Sequence, residues 1–370
     1  MNKKKNLIFF LPNFSEGGAG KSILKICNNL NKKKYRIIII CIGKCYYKKQ
    51  FKTNTKIYEL ENQKTLFSFF DISKILKRYF DKKNTIFISN INYANVLSCI
   101  FIKIFLRYKL VLVERTPLKE LFTYYNFQEY LKKKIIYFLM KNLYKFSNLV
   151  IINSNYNHKK FKNKINCKSV NIFSPSIEKV NLSKFRKKTK KLRILTIGRL
   201  SMEKRFDLLI QSISFLKNTD VKLHIIGNGP FRDKLNNLVK EKNLSKIIKI
   251  SNFTKKYKKY YQKNNIFIST SDFEGFPNIV VEAMNNNLQI ISRESGGGIH
   301  DILLNGRLGK IIDTTGAGDL YAGGFIHGLI NNYSLKKCGE IGSICAGHII
   351  TQLGSRSNIN LQKLLRTHLI

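Results

Sequence analysis

The stretch TSDFEGFPNIVVEAMNNNLQIISRESGGGIHDIL, residues 270–303, carries the strongest structural signal in the chain. It is entered from a strand-sized apolar run, NIFISTS (265–271), and Gly275-Phe276-Pro277 then forces a turn. Apolar periodicity from Asn278 predicts a helix over 278–286, and LQIIS (288–292) reads as the next strand. Strand, turn, helix and strand in that order form a βαβ unit of a parallel sheet. Pro277 has no N–H to donate, while the N–H groups of the residues after it stand unpaired at the helix start, a place that attracts phosphate. Glu274 lies before that helix and Glu282 inside it.

The same alternation extends in both directions. Upstream of residue 183 the apolar runs are 6–12, 36–42, 85–89, 109–114 and 149–154, with helix-sized segments such as 20–30 and 93–106 between them. A basic polar bridge, SKFRKKTKKLR (183–193), has nothing to bury, and the pattern restarts at 192–199, 222–229 and 247–251. The expected architecture is therefore α/β, with two doubly wound, Rossmann-like domains facing across a cleft. Ligands in such sheets sit at the carboxyl ends of the strands. The expected boundaries are 1–182 for the first domain, 183–193 for the linker, 194–312 for the second domain, and 313–370 for a tail of different character.

Composition narrows the function classes. The formal charge of +45 over 370 residues invites a nucleic-acid or anionic-membrane reading. Residues 1–150 hold 30 basic against 8 acidic residues and 151–310 hold 32 against 11, so the charge is diffuse, which argues against a nucleic-acid binder and leaves an anionic membrane surface as a partner. Residues 311–370 break the trend, with 5 basic against 3 acidic residues and nine of the 22 glycines. Seven cysteines without a CxxC pair fit reduced, buried side chains of a cytosolic protein, not a disulfide frame or a zinc site. The start, MNKKKNLIFFLPNF, is too short in its apolar core for a signal peptide. The longest apolar stretch, VLSCIFIKIFL (96–106), carries Lys103 and falls far below a membrane span. Residues 129–147 predict a helix with lysines among aromatic and aliphatic residues, read as packing on its own sheet, with membrane-surface docking as the alternative.

SEGGAGKS (15–22) has the look of a triphosphate loop, yet the Gly that such a loop needs is Ser15, and Glu16 would repel phosphate. Taken alone it leaves ATP binding open. The wider set of motifs points elsewhere. TSDFEGFPNIVVEAM resembles the E-x7-E signature of retaining, GT-B-fold glycosyltransferases of family 4. IGRLSMEKRFDLLIQSI (197–213) is similar to the donor motif of that family, IIGNGPFRDKL (225–235) to its Gly-x-Gly-Pro turn, and SGGGIHDIL to the loop that closes its site. The likeness spans about residues 5–311.

The resemblance implies transfer of a sugar from a nucleotide-diphosphate sugar to a lipid-linked or polysaccharide acceptor, at the inner face of the cytoplasmic membrane. Arg199 and Lys204 are expected to neutralise the leaving diphosphate, a planar fork and a point charge respectively. Glu274 would hold the hydroxyls of the donor sugar and Glu282 the ribose. Gly17, Gly18, Gly198, Gly275, Phe276, Asn278 and Ile279 complete the donor-binding set, with small residues of SEGGAGKS letting the chain's backbone approach the donor diphosphate and the acceptor, and Lys21 and Ser22 beginning a helix. No cofactor or metal is expected, since two cations and a helix N-terminus serve the charge and no Asp-x-Asp motif is evident. Many relatives carry a His where this chain has Glu114-Arg115-Thr116, and Arg115 is a candidate for sugar or acceptor contact.

The tail, from DTTGAGDLYAGGF (313–325) onward, resembles the C-terminal signature of ribokinase-like sugar kinases, in which the Gly-Ala-Gly-Asp turn opens a helix. That likeness implies an anion hole at Gly316 and Gly318 and a base at Asp319. Only 58 residues of such a kinase are present, so the expectation is a fusion near residue 312 with a helical tail. Carbohydrate kinase activity from that fragment, or an inactive chimera, are the alternatives to transfer.

Overall fold

The computed structural model describes residues 4–312, apart from 16, 53–54, 62, 182–191, 217–219 and 255, and beyond 312 a few scattered residues between 326 and 345. Gly316, Gly318 and Asp319 lie outside the described residues, as do most of the linker and the tail. The chain divides into two compact units, each discontinuous in sequence. One comprises residues 1–184, 273–285 and 296–302, and the other the remainder.

The first unit is built on seven parallel strands in the order β3-β2-β1-β4-β5-β6-β7. In chain order its elements are β1 (Lys5–Phe10), α1 (Gly18–Asn29), β2 (Tyr35–Ile42), β3 (Lys56–Leu60), α2 (Thr65–Tyr79), β4 (Thr85–Asn90), α3 (Asn92–Ser98), β5 (Lys109–Glu114), α4 (Phe127–Leu143), β6 (Leu149–Ile152), α5 (Asn155–Lys162) and β7 (Ser169–Asn171). The central strands are apolar on both faces because both are covered, and Ile8, Ile38, Ile39 and Phe87 are wholly buried. One side of the sheet packs on α1 through Ile23 and Cys27. The other packs on α2, α3 and α4 through Phe69, Ile72, Leu76, Val96 and Met140. After α3 the chain continues as a π-helical turn, Cys99–Phe105, so the helix expected over 93–106 changes its winding in mid-course.

The second unit holds six parallel strands in the order β10-β9-β8-β11-β12-β13. Its elements are β8 (Leu192–Ile197), α6 (Phe206–Ser214), β9 (Val221–Ile226), α7 (Arg232–Glu241), β10 (Ile248–Ser251), α8 (Lys259–Lys263), β11 (Ile266–Ser269), then β12 (Gln289–Arg293) and β13 (Lys310–Ile312). Between β11 and β12 the chain runs through α9 (Asn278–Asn285), and between β12 and β13 through α10 (Ile299–Ile302), both counted with the first unit. Leu209, Ile210 and Ile213 of α6 bury one apolar stripe against Leu223 and Ile225 of β9. Both sheets reverse their strand order beside their first strand, between β1 and β4 and between β8 and β11, and this reversal is where doubly wound sheets bind ligands.

Candidate donor and acceptor site

In the first unit, the loop after β1 ends at Gly17, the extended residue that precedes α1. Gly18 opens α1, with Lys21 and Ser22 in its first turn and a half. A Cβ on Gly18 would stand 3.3 Å from Asn278 Nδ2, and that amide donates to Ser22 Oγ at 3.2 Å. Ser176 Oγ donates to Asn278 Oδ1 at 2.6 Å, so the first residue of α9 is held from two sides. Phe276, two residues earlier, packs its ring against Phe173 at 5.5 Å.

Glu282 is buried within α9, and Lys21 Nζ donates to its Oε1. The sequence assigns Glu282 to a ribose and Lys21 only to a helix start. The ion pair joining them across 261 residues was not legible, because no local pattern marks it.

The turn before α9 fits tightly. Gly275 has no room for a side chain, since a Cβ there would fall inside van der Waals contact of the Arg115 carbonyl oxygen. Asn153 Nδ2 donates to that same oxygen at 3.2 Å, and the Gly275 carbonyl accepts from Gly298 N at 2.6 Å and Asn157 Nδ2 at 3.4 Å. A Cβ on Gly297 would meet the Glu274 carbonyl in the same way. Glycines in the Ser-Gly-Gly-Gly run thus let two backbones touch. Glu274 stands immediately before this turn and is half-buried.

Arg115 follows β5. Its Nε donates to Asn90 Oδ1 at 2.9 Å, and Asn90 Nδ2 is itself tied to the Phe10 carbonyl at 3.0 Å. Burial pulls the Arg115 guanidinium down to about 10, which leaves it cationic at neutral pH. Ile91, next to Asn90, sits at φ 77°, a conformation a β-branched side chain adopts only under strain, and such strain clusters at functional loops.

Glu114 points the other way, into the core. It is 3% exposed and its Oε1 accepts from Asn95 Nδ2 at 2.6 Å and from the Tyr144 hydroxyl. Burial pushes its carboxyl up to about 7, against the opposing pull of those two donors. A folded value above the unfolded one of 4.5 means the folded state holds this proton more tightly. Stability is therefore fully present below about pH 4.5, falls as pH rises toward 7, and levels off above it, a loss of about 3 kcal/mol. Replacing Glu114 by Gln keeps the Oε1 acceptor and removes the titration. Thermal unfolding between pH 5 and 8 should be flatter for E114Q than for the parent, and parallel curves would rule this assignment out.

The second unit carries the other candidate residues. Gly198, Arg199 and Lys204 follow β8, at the carboxyl edge where β8 and β9 end together. A Cβ on Gly227 would strike the Gly198 carbonyl, and one on Gly229 the Leu200 carbonyl, so the two loops lie backbone to backbone. Phe231 N donates to the Leu200 carbonyl at 3.0 Å and Arg232 Nη2 to the Gly227 carbonyl at 2.6 Å. Arg199 is exposed. Lys204 is half-buried, its stem near Gly198, and its carbonyl accepts from Thr270 Oγ1 at 2.8 Å. Arg205 takes a left-handed conformation at φ 50°, ending the short turn Met202–Lys204 before α6 begins. Asp272 pairs with Arg293 and, at 3.5 Å, with Arg205.

Gly17, Gly18, Phe276, Asn278 and Glu282 thus converge in the first unit, with Gly275 against Arg115, while Gly198, Arg199 and Lys204 form a group of their own in the second. Ile279 lies in the first turn of α9. Among the described residues no group of three or more His, Cys, Asp or Glu is arranged to hold a metal ion, and no helix is long and apolar enough to cross a membrane.

Two parallel, doubly wound sheets with these strand orders make the fold that of the GT-B glycosyltransferases. Residues 178–342 match the family model for glycosyl transferases group 1, a match that runs past the composition break near 311. The chain is homologous to curated glycosyltransferases. It is 27% identical over 243 residues to the Campylobacter jejuni N-acetylgalactosamine-N,N'-diacetylbacillosaminyl-diphospho-undecaprenol 4-alpha-N-acetylgalactosaminyltransferase, an alignment covering 64% of each chain. The chain therefore spans a little under two thirds of that relative's length. Among solved structures, Anabaena HepE in complex with UDP and glucose superposes with a TM-score of 0.67 at 17% identity, over 99% of this chain and 98% of that one. A separate short match, 42% identical over 53 residues, is to a nucleoside kinase of Methanocaldococcus jannaschii, covering 14% of this chain and 18% of the kinase.

Proposed function

We propose that the chain is a retaining glycosyltransferase of family 4, moving a sugar from a nucleotide-diphosphate donor to a lipid-linked or polysaccharide acceptor during glycan synthesis. The reading also places it as a peripheral protein on the cytoplasmic face of a membrane. The observation that carries the proposal is the turn at Glu274-Gly275-Phe276-Pro277, packed closely against the Arg115 and Gly298 backbones, with α9 opening directly after it. The N-terminus of that helix, with its positive dipole end, suits a diphosphate. The homology to group 1 glycosyl transferases and to an enzyme named for a diphospho-undecaprenol acceptor supports the class of reaction.

In this reading the bond between the anomeric carbon and the diphosphate oxygen breaks while the acceptor oxygen attacks from the same face. Arg199 and Lys204 stabilise the charge that develops on the departing diphosphate. That diphosphate takes the acceptor proton, so no side-chain base is required. Glu274 orients the sugar through its hydroxyls, and Glu282 binds the ribose while sharing its carboxylate with Lys21. Arg115 faces the sugar or the acceptor. The reaction as written calls on no metal or cofactor.

A panel of UDP-, GDP- and ADP-sugars, together with ATP, tests the proposal through thermal unfolding. At least one sugar nucleotide should raise the midpoint, and NMR of the product should show the anomeric configuration of the donor. An inverted product would remove the retaining mechanism. A shift with ATP alone would favour the second reading, a sugar kinase activity of the C-terminal segment, for which the short kinase match speaks.

A further inference from the structure

The helix α4 is apolar on two faces. Ile136, Tyr137, Met140 and Leu143 pack inward on the core of the first unit. On the outward side Phe127, Leu131, Ile135 and Phe138 are all exposed, Phe127 at 76% and Phe138 at 65%. Spaced by four, four and three residues, they stand within about 80° of the helix circumference, a continuous stripe where a globular helix normally carries polar groups. Lys134 and Lys141 flank the stripe, both exposed.

The neighbouring elements extend the same surface. α2, α3 with its π-helical turn, and α4 cover one side of the sheet as adjacent members of one layer, α2 touching α3 and α3 touching α4. Phe70 of α2 and Phe105 of the π-helical turn both pack on Phe101, yet remain 59% and 70% exposed. Along α2 the outward positions read Leu66, Phe70, Lys74 and Lys77, apolar in the first half and basic in the second. Glu129 is the only acidic residue of α4, and it is paired with Lys133 at 3.6 Å.

We infer that this layer, centred on the Phe127–Phe138 stripe, is the surface by which the protein seats on an anionic lipid bilayer. Phenylalanine, leucine and isoleucine side chains enter the boundary between headgroups and acyl chains, and the lysines beside them meet lipid phosphates. Charge complementarity selects this occupant, since a second copy of the chain would bring the same lysines against these. The inference deepens the proposed transferase reading by naming where a lipid-linked acceptor's membrane meets the chain, and it rests on that reading only for its purpose.

Co-sedimentation of the full chain with vesicles tests it, using phosphatidylcholine alone and phosphatidylcholine with about one third phosphatidylglycerol. The parent should bind the anionic vesicles and leave the neutral ones. F127S/L131S/I135S/F138S and K74E/K77E/K134E/K141E should each lower vesicle affinity about tenfold or more. The control K240E/K246E/K249E/K258E, an equal charge change on exposed lysines of the second unit, should stay within about twofold of the parent. The single variant F127E, at the most exposed position of the stripe, serves where the fourfold serine variant fails to fold. Equal losses in the control, or undiminished binding by the stripe variants, would overturn the inference, because adsorption would then come from net charge alone. Unchanged vesicle binding with a dimer that the serine variant converts to a monomer in light scattering would overturn it in favour of self-association. Sugar-nucleotide binding measured on the same proteins separates the two proposals. Vesicle binding without donor binding would sink the transferase reading and leave the docking surface standing.

Discussion

Replacing Lys204 by methionine is expected to slow sugar transfer about 100- to 1000-fold while leaving the unfolding midpoint near that of the parent. Methionine keeps the aliphatic stem that lies beside Gly198, and the Lys204 carbonyl keeps its bond from Thr270 whatever the side chain. What disappears is a cation in the turn between β8 and α6, and with it charge neutralisation on the departing diphosphate. The effect belongs to the transition state, where that charge is greatest, so kcat should fall more than KM rises. Arg199→Ala should act in the same direction. A K204M protein that turns over at the parent rate would take Lys204 out of the mechanism.

The second large effect is expected at Gly275. A single methyl group there lands on the Arg115 carbonyl oxygen, a backbone atom that no rotamer change can move aside. Gly275→Ala should cost about 1–3 kcal/mol in stability, the range for forced overpacking, and displace the turn that leads into α9. Gly17→Ala is the matched control, since a Cβ at Gly17 meets nothing within 4 Å and its φ of −144° suits any residue. The unfolding midpoint should drop for G275A and hold for G17A, and donor binding should drop for G275A. Equal behaviour of the two variants would mean that the turn tolerates a shift the packing does not suggest.

Much of the fold was legible because the buried strands of a doubly wound sheet are apolar along their whole length. RIIIICI, KLVLVE and LRILTI announce themselves, and the helix at 278–286 is found as α9 within one residue. Two strands of the first sheet were not legible. β3, KIYEL, is an edge strand with no fully buried position, and β7, Ser169–Asn171, is three residues long, so neither offers an apolar run to recognise. The candidate residues were found through spaced motifs, each tied to a glycine or proline with a steric reason to be there. Missing from that reading were the polar supports. Asn90 behind Arg115, Lys21 on Glu282, and Ser176 on Asn278 are joined by folding, not by sequence spacing. Glu114 and Arg115, neighbours in sequence, are divided by the strand end: the arginine is held by Asn90 and the carboxylate is sealed among Asn95 and Tyr144.

That sealed carboxylate makes folding a protonation reaction. Between about pH 4.5 and 7 the unfolded chain carries Glu114 as an anion, and the folded chain takes up a proton from solvent to bury it. The heat of unfolding in this range therefore contains the heat of returning that proton to the buffer. Calorimetry at pH 6 in buffers of different ionisation enthalpy should give different unfolding enthalpies for the parent protein, and E114Q should narrow the gap.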